Sequence, residues 1–103
     1  MALVERIVTI QNKKGLHARA AAKFVKTAGQ FDAEIKVIRL VGKDKLSMPE
    51  DPDCTVSAKS ILGLMMLGAE PGTNLKLQAT GLESGEAIDS LQQLIDTRFD
   101  EDE

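Results

Sequence analysis

Apolar and polar side chains alternate along parts of the chain, as they do in β-strands that bury one face. The alternation is complete in the last of these segments, and β-branched residues dominate the first. Turn residues such as Asn12, Gly42 and Gly81 end most of the segments. The pattern predicts four strands, the third of them short and at a sheet edge, at residues 4–11, 33–41, 54–57 and 74–80.

Three other segments are predicted to be helices, two of them with amphipathic spacing. Between residues 18 and 28 apolar side chains recur every four positions, and Gly29 follows where a left-handed residue ends many helices. Residues 60–67 are almost entirely apolar, and a third stripe starts near Ser84, the expected N-cap. The order β-α-β-β-α-β-α predicts an α+β domain in which helices cover one side of an antiparallel sheet.

Length and composition narrow the domain organisation. The 103 residues suffice for one domain, which we expect to be a monomer. Residues from 42 to about 54 have no hydrophobic period and include two prolines, which predicts an extended loop. The acidic tail 100–103 is expected to be frayed and solvated.

Charge and rare residues argue against several functions. The net charge is -3 and the aromatic residues are three phenylalanines, which does not favour nucleic-acid binding. The single Cys54 and the single His17 cannot form a disulfide or a structural zinc site, and Cys54 is expected simply to pack. No cofactor or metal is predicted. Without a long apolar run or an export signal, we expect no membrane association and a cytoplasmic location.

His17 stands at an unusual place, the position before the first predicted helix. N-caps are normally Ser, Thr, Asp or Asn, whereas the first turn of a helix attracts anions and disfavours a protonated imidazole. A phosphoryl group on His17 would lie among the backbone N–H groups of Ala18 and Arg19, and the Arg19 guanidinium could pair with its oxygens. This requires His17 to lie outside the helical register. The alternative is a solvated or capping histidine without a function.

The apolar segment 60–67 also has two interpretations. A helix that is apolar all round cannot bury its whole circumference in a small domain, so part of it could form a docking surface. The alternative is a core helix under the 42–54 loop. Ser60 is explained first as an N-cap, but a phosphate on its hydroxyl would add negative charge beside the apolar side chains and act as an off switch.

The residues 14–25 (KGLHARAAAKFV) and 57–67 (SAKSILGLMML) together resemble the HPr phosphocarrier proteins of the bacterial phosphoenolpyruvate-dependent phosphotransferase system. The resemblance covers nearly the whole chain in the same order of elements. It implies an open-faced β-sandwich of four strands under three helices. It also implies a carrier that is transiently phosphorylated and is not itself an enzyme.

The resemblance further implies a role for individual residues. His17 would take a phosphoryl group on Nδ1 from phospho-Enzyme I and give it to a histidine of an EIIA domain, while Arg19 pairs with that group. The partner-docking residues would be Ile61, Leu62 and Met65. Ser60 matches the serine that HPr kinase/phosphorylase modifies in some members, which makes this kinase a further candidate partner. The alternative function is a regulatory binding module controlled by phosphorylation of Ser60.

The sequence departs from the family pattern at two places. Ala20 replaces a proline that most members have at the start of the first helix, which should loosen the first turn slightly without removing a chemical group. The 42–54 segment is longer than the tight hairpin expected between strands two and three. Neither departure touches His17 or Arg19. Whether the carrier serves sugar uptake or a nitrogen-linked branch stays open.

Overall fold

The computed structural model describes residues 3–40 and 50–100, except for the side chains of 50–54. Within these ranges the elements follow the predicted β-α-β-β-α-β-α order, and a short turn follows the last helix. They are β1 (Leu3–Thr9), α1 (Ala18–Ala28), β2 (Glu34–Leu40), β3 (Glu50–Ser57), α2 (Ile61–Met66), β4 (Asn74–Thr80), α3 (Ser84–Asp96) and the turn Arg98–Asp100.

The four described strands form one antiparallel sheet in the order β1-β4-β2-β3. β1 and β3 are therefore edge strands, as predicted for β3. The register of β1 and β4 runs from Leu3 opposite Thr80 to Thr9 opposite Asn74. The helices lie over one face of the sheet, and the architecture is the open-faced α+β sandwich that the sequence predicts.

The core lies between the sheet and the helices. Helices α1 and α3 contribute the apolar stripes predicted from their spacing, and Phe24 of α1 is fully buried with Leu77 of β4 and Leu91 of α3. Helix α1 contacts both other helices, and α3 also contacts β1 and β4. Burying an apolar side chain of this size contributes about 1.5–3 kcal/mol, so this shared core holds α1 firmly in place.

The loop predicted at 42–54 is too long, because β3 begins at Glu50 and not at Cys54. The pairing of β2 with β3 shifts register between Ile38 and Leu40. An edge strand with irregular pairing tolerates Pro52, which lacks a backbone N–H, and this explains why the proline misled the prediction. Residues 42–49 lie outside the described part of the chain.

Two predicted helix ends are wrong in detail. Gly29 ends α1 with a right-handed backbone, at φ −70°, and its N–H donates to the carbonyl of Val25. Ser84 is the first residue of α3 and is buried, while Glu83 occupies the N-cap position. The Glu83 carboxylate accepts instead from the backbone N–H of Asp32 at 2.8 Å, and its own N–H donates to the Asp32 carbonyl. This pair ties the start of α3 to the chain before β2.

Asp100 is the only residue of the predicted tail that the structure describes. Phe99 is fully buried, and the N–H of Asp100 donates to the carbonyl of Thr97. Arg98, Phe99 and Asp100 have positive φ angles of 57°, 55° and 59°. Residues 101–103 of the predicted tail lie outside the described part.

Candidate functional site

The loop between β1 and α1 is shaped by Asn12 and Gly15. The backbone N–H of Gly15 donates to the carbonyl of Asn12, and the Asn12 side chain donates back to the carbonyl of Gly15 at 2.7 Å. Gly15 has a φ of 66°, in the left-handed region that glycine adopts without strain. The polar turn seen in the sequence is thus a closed loop that delivers the chain to His17.

His17 is the N-cap of α1, as the sequence predicts. Its backbone is extended, with φ −82° and ψ −176°, and its carbonyl accepts the first helical hydrogen bond, from Ala21. Its Nδ1 atom accepts from the backbone N–H of Arg19 at 3.3 Å. Nδ1 therefore points toward the free N–H groups of the first turn, and His17 lies outside the helical register as the phosphate hypothesis requires.

Solvent reaches this site. The His17 side chain is half-buried, whereas Ala18 and Arg19 are exposed. The next two residues, Ala20 and Ala21, are fully buried and hold the first turn against the core. The site is therefore a helix start with a fixed backbone and an open outer side.

Helix α1, which begins at this site, carries Arg19, Lys23 and Lys26 and no acidic residue. Of the two lysines, Lys23 donates from Nζ to the carbonyl of Phe99, whereas Lys26 is exposed. Helix α3 has the opposite bias, with acidic side chains and no basic ones. The α1 side of the domain is therefore the side that suits an anionic group.

Ser60 is the N-cap of α2, which confirms the first of its two interpretations. Its Oγ accepts from the backbone N–H of Gly63 at 3.0 Å, and the residue is half-buried. A Cβ on Gly63 would lie 3.1 Å from both the Ser60 Oγ and the Val56 Cβ, so this first turn is tightly packed. The hydroxyl remains at the edge of the exposed surface of α2.

The outer side of α2 is apolar and exposed, and its inner side packs into the core. Leu64 and Leu67 are buried in the core, at a spacing of three residues. Four other side chains, which we call the α2 patch, face outward: Ile61, Leu62, Met65 and Met66, with 43%, 69%, 42% and 74% of their surface exposed.

Sequence reasoning found Ile61, Leu62 and Met65 but missed Met66, the most exposed member of the patch. Nothing in the apolar run singles out Met66, because its outward position follows only from the burial of positions 64 and 67 in the structure. The chain just after α2 contacts the loop that carries His17. Helix α2 contacts α1, and the N–H of Leu16 donates to the carbonyl of Ala69 just after α2.

Other kinds of site find no support in the described part of the chain. Residues 3–40 and 50–100 contain no group of three or more His, Cys, Asp or Glu side chains that could hold a metal ion. In the same ranges no helix is both long and apolar enough to cross a bilayer.

The sequence of this chain is similar to those of known proteins. The family model described as the PTS HPr component phosphorylation site matches residues 4–97. The phosphocarrier protein HPr of Pseudomonas aeruginosa is 46% identical over 96 residues, which is 93% of this chain and 94% of that protein. The phosphocarrier protein NPr of Shewanella violacea is 42% identical over 98% of each chain.

A solved structure agrees with the fold. The crystal structure of HPr from Thermoanaerobacter tengcongensis, 41% identical in sequence, superposes with a TM-score of 0.79 over 97% of this chain and 99% of that one. Family model, relatives and structure therefore point the same way as the two sequence motifs. This chain belongs to the HPr family of phosphocarrier proteins of the phosphotransferase system.

Proposed function

We propose that the chain carries a phosphoryl group on Nδ1 of His17, which it receives from phospho-Enzyme I and passes to a histidine of an EIIA domain. The observation that supports this best is the position of Nδ1 at the N-cap of α1, 3.3 Å from the backbone nitrogen of Arg19. The membership of the HPr family supports a carrier rather than an enzyme that releases a product.

In the first transfer the lone pair of Nδ1 forms a bond to phosphorus while the bond between phosphorus and its donor breaks. The N–H groups of the first turn and the positive end of the helix dipole then face the phosphoryl oxygens. The Arg19 guanidinium, which is exposed and belongs to the second residue after His17, pairs with two of these oxygens. The second transfer repeats the same step, with His17 as the leaving group.

The open form of the site suits a carrier. Two different partners must reach Nδ1 in turn, and the exposed side of the helix start admits both. A few N–H groups and one arginine stabilise the phosphoryl group moderately, so that release to the acceptor stays possible. We infer the same docking site for Enzyme I and the EIIA domain, namely the α2 patch with the basic residues of α1 at its side.

The experiment that tests the proposal is a relay with labelled phosphoenolpyruvate, Enzyme I and an EIIA domain. The wild-type chain should become labelled and should lose the label when EIIA is added. The variant His17→Ala should take up no label, and Arg19→Gln should take it up more slowly. Full labelling of His17→Ala would refute the assignment of His17.

A second candidate function rests on Ser60, whose hydroxyl lies at the N-terminus of the helix that carries the α2 patch. Phosphorylation there by an HPr kinase would place about −1.5 to −2 charges beside apolar side chains and weaken docking of Enzyme I. In this alternative the chain is a regulatory binding module. Ser60→Asp would then change affinity for a regulatory partner, while His17→Ala would leave that affinity unchanged.

A further inference from the structure

The loop that carries His17 is hydrogen-bonded to the turn that follows α2. The N–H of Leu16, one residue before the N-cap, donates to the carbonyl of Ala69 at 2.9 Å. The same turn is held from the sheet by Arg39, whose guanidinium donates to the carbonyl of Leu67 at 3.0 Å. The end of α2 and the backbone at His17 are therefore directly connected.

Gly15 makes this contact possible. A Cβ on Gly15 would lie only 2.4 Å from the carbonyl oxygen of Ala69, and the φ of Gly15 is 66°. Carbon and oxygen atoms at that distance repel strongly, and the oxygen belongs to backbone, which cannot move aside as a flexible side chain could. Any larger residue would push the loop away from the α2 end.

Asn12 holds the other side of the same loop. It is fully buried, and its Nδ2 donates to the carbonyl of Gly15 at 2.7 Å, while the N–H of Gly15 donates to the carbonyl of Asn12 at 3.1 Å. An apolar side chain here would leave the Gly15 carbonyl without this donor. Asn12 and Gly15 thus fix the loop both internally and against Ala69.

We infer that Asn12 and Gly15 are positioning residues for phosphoryl transfer, which set the position of His17 Nδ1 relative to the α2 patch. This inference rests on the proposed function and deepens it. A partner bound on the α2 patch presents phosphorus at a point fixed by α2, whereas Nδ1 is fixed by the loop. The contact with Ala69 joins the two, and a misplacement of about 1 Å between reacting atoms costs roughly 100-fold in rate.

The test compares Gly15→Ala with Gly72→Ala in steady-state phosphorylation by Enzyme I. Both glycines have positive φ, but a Cβ on Gly72, at φ 91°, meets nothing within 4 Å. The comparison therefore separates the clash with Ala69 from the strain of a left-handed alanine. For Gly15→Ala we expect kcat to fall roughly 10- to 100-fold while KM changes less than about twofold, because the α2 patch still binds. Gly72→Ala should keep the wild-type kcat.

Asn12→Ala provides a second, independent variant that introduces no clash. It should show the same loss of kcat at nearly constant KM. The folded fraction of each variant is measured by circular dichroism under the assay conditions. The inference is overturned if kcat stays at the wild-type value, if only KM rises, or if the loss of kcat is no larger than the loss of folded protein.

The outcomes also separate this inference from the proposed function. If the wild-type chain takes up no phosphoryl group, or if His17→Ala takes it up normally, the proposed function itself has failed. If the wild-type chain is phosphorylated on His17 and Gly15→Ala reacts at the same kcat, the proposed function stands and only the positioning role is refuted.

Discussion

Truncating Leu62 should weaken the binding of Enzyme I without changing the stability of the fold. The side chain belongs to the α2 patch, and 69% of its surface is exposed, so it contributes little to the core. Fully burying a leucine is worth about 1.5–3 kcal/mol. About two thirds of that, roughly 1–2 kcal/mol, is available when a partner covers the exposed part, which corresponds to a roughly 5- to 30-fold rise in Kd for Leu62→Ala.

The assay is isothermal titration of Enzyme I with wild-type and variant chains. Leu82 offers a matched control, because it is also a leucine and is 78% exposed. It lies in the turn between β4 and α3 and is not part of the α2 patch. Leu82→Ala should therefore leave Kd unchanged.

Two results would contradict a docking role of the α2 patch. One is an unchanged Kd for Leu62→Ala, which would mean that the partner does not cover this side chain. The other is an equal loss for Leu82→Ala, which would mean that any exposed leucine contributes to binding. Thermal unfolding of both variants should coincide with that of the wild-type chain within about 0.5 kcal/mol.

Three further substitutions test the core, the Ser60 switch and the start of α1. Leu64→Ala removes a fully buried side chain from α2 and should lower the free energy of unfolding by about 2–5 kcal/mol, as measured by urea denaturation. If the free energy of unfolding falls no more than it does for a truncation at an exposed residue, Leu64 is not part of the core. Ser60→Asp keeps a good N-cap, so the free energy of unfolding should change little. Isothermal titration should show weaker binding of Enzyme I, and an unaltered affinity would argue against the off switch. Ala20→Pro restores the residue that most family members have. Proline lacks a backbone N–H, but position 20 lies in the first turn of α1, where an N–H has no acceptor within the helix. Thermal unfolding should therefore show a free energy of unfolding that is higher by about 0.4–1 kcal/mol. A lower free energy of unfolding would mean that the buried position has no room for the proline ring.

The sequence was sufficient for the parts of the fold that depend on local pattern. The spacing of apolar residues along α1 and the alternation along β4 each have a single interpretation, and both elements have the predicted bounds. The start of β3 was missed because Pro52 is a strand breaker everywhere except at an edge, and edges are set by tertiary pairing. Ser84 was taken for a cap because its residue type favours that role, whereas the contact of Glu83 with Asp32 decides where α3 begins.

One part of the candidate site could likewise be predicted from the sequence, and the other part could not. The N-cap position of His17 could be inferred from the sequence, because it depends only on where the helical pattern starts. The contact of Gly15 with Ala69 could not, since the two residues are far apart in sequence and neither type signals the other. The exposure of the α2 patch also needed the structure, because a run of apolar residues fits a core helix equally well.

The proposed relay depends above all on Nδ1 of His17 as the atom that carries the phosphoryl group. The most direct test is long-range proton–nitrogen correlation NMR of the uniformly nitrogen-15-labelled chain, recorded before and after reaction with phosphoenolpyruvate and catalytic Enzyme I. Because this chain has a single histidine, both ring nitrogens can be assigned without ambiguity. We predict coupling to phosphorus at Nδ1, together with a shift of the Arg19 backbone N–H, which now donates to Nδ1. Phosphorus at Nε2, or an unchanged imidazole in a chain that has become phosphorylated, would contradict the assignment.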